Sequence, residues 1–150
     1  MTLFGSTRWS AKVKAIALTS APIALALFVP TTAIAQTSTD QNFESDLYSF
    51  LQSQNTLSHY MATGIEQQIG MSNPEIAQSL CYEMAAGLSV QGLHADFLTG
   101  VQMMRSSVNP ADYEELKYAA ELYFGSVINL GSAYYCPEYQ AEVVEGLSNL

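Results

Sequence analysis

Asn109-Pro110-Ala111-Asp112-Tyr113-Glu114-Glu115-Leu116-Lys117-Tyr118-Ala119-Ala120-Glu121-Leu122-Tyr123-Phe124-Gly125-Ser126-Val127-Ile128 is the stretch that decides the fold class. Asparagine is a good N-cap, and proline in the first turn costs no hydrogen bond because the first amides of a helix are unpaired anyway. Asp112, Glu114 and Glu115 sit where the positive end of the helix dipole favours acids. Tyr113, Leu116, Ala120, Tyr123, Phe124, Val127 and Ile128 then recur with helical period on one face. The spacing predicts a long helix that runs toward Cys136, with Gly125 and Gly131 bending or fraying it.

Upstream, Ser72-Asn73-Pro74-Glu75 reads as a capping box, in which serine and glutamate each satisfy the other's backbone amide. Ile76, Leu80, Cys81, Met84 and Leu88 follow on one face, and Gly87 is a natural terminator. Residues 90–105 align Leu93, Phe97, Leu98, Val101 and Met104. Nearer the N-terminus, Phe43, Leu47, Phe50 and Leu51 form a stripe that Thr39 or Asp40 is placed to cap. Leu57, Tyr60, Met61, Ile65 and Ile69 form another, interrupted by Gly64 and stopped at Gly70. Pro137-Glu138 opens a short last helix carrying Tyr139, Val143 and Leu147. No stretch shows sustained strand alternation with hairpin turns. The expected fold is all-α, a small single-domain bundle of five or six short helices over residues 42–150.

Residues 1–35 have the pattern of a cleaved secretory signal peptide. Arg8, Lys12 and Lys14 precede an apolar run over residues 15–29, and Pro30 ends it. Ala33-Ile34-Ala35 places small residues before a cut between Ala35 and Gln36. The run is shorter than the roughly 20 residues a spanning helix needs. There is no twin arginine, and no cysteine at the cut to carry a lipid. Export to the periplasm or beyond the cell is therefore expected, with residues 36–41 as a polar lead and no transmembrane segment after cleavage.

Export changes the charge. All 14 acidic residues lie after Ala35, against only Arg105 and Lys117, a balance of −12 where the whole chain has −9. Such a surface repels nucleic-acid phosphates and anionic lipid headgroups. The two cysteines, Cys81 and Cys136, have a single intramolecular pairing open to them in an oxidising compartment, and a structural disulfide follows.

The residues do not assemble a familiar catalytic motif. His59 and His94 fall in different helices, with neither an HExxH nor an i, i+4 pair. Gly87-Leu88-Ser89-Val90-Gln91-Gly92 misses the G-x-S-x-G elbow by one position. Glu138, Glu142 and Glu145 share one face, without the alternating oxygens of a calcium loop. No catalytic residue, metal ligand or cofactor is assigned. Tyrosines crowd the C-terminal third, and Tyr118, Tyr134, Tyr135 and Tyr139 cannot all be buried by one helical face. They are the candidate interaction surface, with plain packing as the competing reading.

Leu80-Cys81 followed by Gly87, a long helical stretch, and then Tyr135-Cys136-Pro137 resembles a family of small secreted helical domains. That family is abundant in mycobacteria, occurs in other bacteria, and is catalogued as a domain of unknown function. The resemblance covers residues 47–137. It implies a helical bundle, export, and a bridge from Cys81 to Cys136, and supplies no catalytic residues. The segment from Leu57 to Ile69 is longer than the family's, and the chain continues 13 residues past Pro137.

The expected function is an exported, non-enzymatic interaction or ligand-binding module. A protein partner is favoured over a small apolar ligand held by Met61, Met84, Met103 and Met104. The alternatives are a small secreted hydrolase using carboxylates and histidines, and a structural component of the cell envelope.

Overall fold

The computed structural model describes residues 31–54 and 56–150. The positive and apolar parts of the expected signal segment lie outside the described residues. The chain forms α1 (Thr31–Gln54), α2 (Thr56–Ile69), α3 (Asn73–Ala85), α4 (Val90–Met103), α5 (Pro110–Tyr135) and α6 (Gln140–Ser148), with 3₁₀ turns at Met104–Ser107 and Pro137–Tyr139. Among the described residues there is no strand, and no helix is long and apolar enough to cross a membrane. Four helices are short, while α1 and α5 run to 24 and 26 residues.

Helix α5 is the axis of the bundle and touches each of the other five. Asn109 Oδ1 accepts the Ala111 amide at 3.1 Å, and Tyr113, Ala120, Tyr123, Phe124, Val127 and Ile128 are buried as their spacing predicts. The helix does not fray at Gly125 or Gly131 but continues to Tyr135. A Cβ at Gly131 would stand 2.8 Å from Ala77 Cβ, so the missing side chain is what lets α3 lie against α5. Helix α3 starts with the expected box, Glu75 Oε2 accepting the Ser72 amide at 2.7 Å and Ser72 Oγ accepting the Glu75 amide. It ends with Gly87 at φ 93°, Leu88 N–H bonding to the Glu83 carbonyl and Gly87 N–H to that of Met84. Only a residue free to enter left-handed space closes a helix this way without strain.

Three expectations are corrected. Residues 36–41 are not a loose lead, and neither Thr39 nor Asp40 is a cap, because α1 already runs from Thr31. Asp40 Oδ1 accepts hydrogen bonds from Tyr135 Oη at 2.9 Å and Gln78 Nε2 at 3.4 Å, so this polar turn is tied to α5 and α3. Phe50 does not share the buried stripe. That face is centred on Leu47 between Phe43 and Leu51, and Phe50, near the helix end, is 44 % exposed. On α2 the buried line is Ser58, Ala62 and Ile65, while Tyr60 and Ile69 face outward. Small residues there let α2 approach its neighbours closely.

Helix α6 closes the bundle over α4 and α5. Gly146 is pressed on Val90, where an added Cβ would meet Val90 Cβ at 2.6 Å. Gly146→Ala is therefore expected to lower stability by about 1–3 kcal/mol through overpacking. Gly64, inside α2, has nothing within 4 Å of the same position. There alanine removes only the excess backbone entropy of glycine, and Gly64→Ala is expected to raise stability by about 0.5–1 kcal/mol. Urea denaturation of the two variants checks both signs.

Candidate functional site

Cys81 and Cys136 form a disulfide with their Cα atoms 5.9 Å apart, joining the middle of α3 to the residue that ends α5. Both are buried. The preceding turn of α5 carries Tyr134 and Tyr135, and α1 lies against it. Phe43 is fully buried there, edge-on to Tyr134 at 5.9 Å between ring centres and tilted on Tyr135 at 5.3 Å. Tyr134 Oη donates to Asp46, and Tyr135 Oη to Asp40. The Asp46 bond is the chief reason that the Tyr134 phenol loses its proton less readily than usual. For Tyr135 the chief cause is burial, followed by the bond to Asp40.

The four tyrosines of the candidate surface therefore do not form one patch. Tyr134 and Tyr135 are half-buried and spend their hydroxyls on α1, and Tyr139 is half-buried against the main core. Tyr118 is 58 % exposed and lies sixteen residues before Tyr134 on the same helix, about 24 Å along its axis. Two other rings are more exposed. Tyr60 on α2 and Tyr82 on α3 each leave 66 % of their surface to solvent. Tyr82 was legible in the sequence, because it falls off the stripe of Ile76, Leu80 and Met84. Tyr60 was not, because it fits the helical period of α2 and only the packing of that helix turns it outward.

A second assembly has no signature in the sequence. Tyr123 Oη donates to Asn73 Oδ1 at 2.7 Å, and Asn73 Nδ2 donates to Tyr48 Oη at 3.1 Å. Tyr48 Oη donates to Glu66 Oε2 at 3.0 Å, and Glu66 Oε1 accepts the Asn73 backbone amide at 2.7 Å. The ring closes through Tyr48 of α1, Glu66 of α2 and Asn73 of α3, and Tyr123 of α5 donates into it from outside. Burial pushes the Tyr123 and Tyr48 phenols up, so both remain donors in neutral solution. Both oxygens of Glu66 are used, and the assembly holds helices together.

The histidines occupy unrelated surroundings. His59 packs edge-on against Tyr48 at 5.1 Å, and His94 is tilted on Phe124 at 5.2 Å. Ser58 Oγ and His59 Nδ1 are buried without hydrogen-bond partners, so these neighbours do not make a serine–base pair. Among the described residues no group of three histidines, cysteines or carboxylates could hold a metal ion. Glu138, Glu142 and Glu145 are exposed, and Asp112 occupies the first turn of α5.

One carboxylate on α1 responds to its burial and to nearby acids. Glu44 is held above the usual range, first by partial burial and then by the charges of Glu66 and Asp40. A carboxyl raised in the folded state binds its proton more tightly there than in the unfolded chain. Its contribution to stability is favourable at acid pH and is lost as pH rises through the folded value. Glu44→Gln is thus expected to stabilise the protein at neutral pH by a few tenths of a kcal/mol, about the size of one i, i+4 like-charge repulsion. Melting curves of the two proteins should converge as the pH is lowered through the carboxylate range.

No known protein family, curated protein or solved structure matches the chain.

Proposed function

We propose that residues 36–150 act outside the cytoplasm as a disulfide-stapled, non-enzymatic helical module that binds a protein partner. The observation that carries this reading is the exposure of Tyr60, Tyr82 and Tyr118 on an acid-rich chain. Among the described residues none of their hydroxyls has a hydrogen-bond partner that would account for keeping a large aromatic ring in water. Aromatic rings contribute much of the binding energy at protein contacts, and a strongly negative surface favours a partner of opposite charge. The buried bridge between Cys81 and Cys136 accords with an oxidising compartment, and so does the signal pattern of residues 1–35. The paired cysteines also accord with the resemblance to small secreted helical domains.

The test is site-specific photo-crosslinking in cells that export the protein. A photoreactive phenylalanine replaces Tyr60, Tyr82 or Tyr118 in turn, and Glu142 serves as the control. The expected result is a discrete protein adduct from one or more tyrosine positions, absent at Glu142 and weakened by added salt. Alanine at the same position should leave the melting temperature within the change of about 0.5 kcal/mol usual for surface sites while abolishing binding. Adduct formation at no position, together with a bare monomer by native mass spectrometry, refutes the reading.

A further inference from the structure

If export cuts the chain after Ala35, the first residue of the mature protein is Gln36, and we propose that this residue is converted to pyroglutamate; the proposal rests on the export reading above. An N-terminal glutamine carries a nucleophilic amine and a carboxamide separated by the atoms of a five-membered ring. The α-amino nitrogen attacks the side-chain Cδ, the new N–Cδ bond forms, and the Cδ–Nε2 bond breaks. Nε2 leaves as ammonia with the proton given up by the amine. The step needs no oxidant and no co-reactant.

The structure favours the product in three ways. Gln36 is exposed, so its side chain is free to fold back on its own amine. Its side-chain Nε2, the nitrogen that leaves, donates a hydrogen bond to Asp40 Oδ1 at 3.1 Å. Losing it does not release α1, because Asp40 keeps its bonds from Tyr135 and Gln78. The third reason is electrostatic. Residue 36 lies within the helical run of α1, so cleavage places a positively charged amine at the positive end of a helix dipole. Cyclisation turns that ammonium into a neutral lactam. It also removes one of very few positive groups, since Arg105 and Lys117 are the only arginine and lysine after Gln36. The mature chain then presents a blocked terminus that aminopeptidases do not open.

The experiment is intact-mass and N-terminal analysis of the full chain expressed with its own leader in an exporting host, freshly purified without reductant. The expected mass is that of residues 36–150 less two hydrogens for the bridge and less one ammonia. Ordinary aminopeptidase should leave the chain untouched, and pyroglutamyl peptidase should release its first residue. The Gln36→Ala variant, which cannot cyclise, should keep its full mass and be open to aminopeptidase. A wild-type chain that begins at Gln36 with its ammonia retained overturns the modification and leaves export standing. A chain that retains residues 1–35 overturns both.

Discussion

Replacing both cysteines, Cys81→Ala with Cys136→Ala, is expected to lower stability by about 4 kcal/mol and the melting temperature by about 15–20 °C. The bridge closes a loop of 55 residues, and chain entropy assigns a loop of that length roughly this value. The loss matters because a domain of this size has only about 5–15 kcal/mol in total. The bridge joins α3 to the end of α5, the two helices that meet where Gly131 faces Ala77. It acts mainly on the unfolded chain, so the double variant should also show a larger denaturant slope, since its unlinked unfolded state exposes more surface. Single replacements should cost at least as much. Dithiothreitol added to the folded protein should act slowly, because both sulfurs belong to buried residues. Equal midpoints for oxidised and reduced protein in urea would sink this account of the bridge.

Phe43→Ala is the second large effect, expected at about 3–5 kcal/mol. The ring is fully buried and packs on both Tyr134 and Tyr135. Its loss also weakens the setting in which Tyr134 and Tyr135 donate to Asp46 and Asp40. Helix α1 should therefore open before the rest. Amide exchange should accelerate in α1 more than in α3 and α5, which the disulfide still joins. Phe50→Ala, on the same helix but nearly half exposed, should stay within about 0.5 kcal/mol of the wild type. Similar losses from the two substitutions would mean that the stripe is centred elsewhere than on Leu47.

Residues whose role depends on their near neighbours in the chain were legible from sequence. The capping box at Ser72, the cap at Asn109, the terminator Gly87 and the buried face of α5 all follow from contacts within one or two turns. The all-α class follows from them, whereas the bridge follows from the single pairing open to the two cysteines. What failed was the choice among positions that a helical period alone treats as equal. Phe50 and Leu51, or Tyr60 and Ala62, are separated only by which side the neighbouring helix takes.

The polar assemblies were hidden for a stronger reason. Asn73 reads in sequence as part of a cap, yet its side chain joins Tyr48 to Tyr123 across 25 and 50 positions. Asp40 reads as a cap or a loose end, yet it receives Tyr135 from 95 positions away. A hydrogen bond has direction and a reach of about 3 Å, and no periodicity records which distant side chain will arrive within it. The sequence by itself determined the helices, their ends apart from the start of α1, and the staple. Tertiary structure alone decided which tyrosines are spent inside the bundle and which are left exposed to solvent, because that depends on how the described helices pack together in three dimensions.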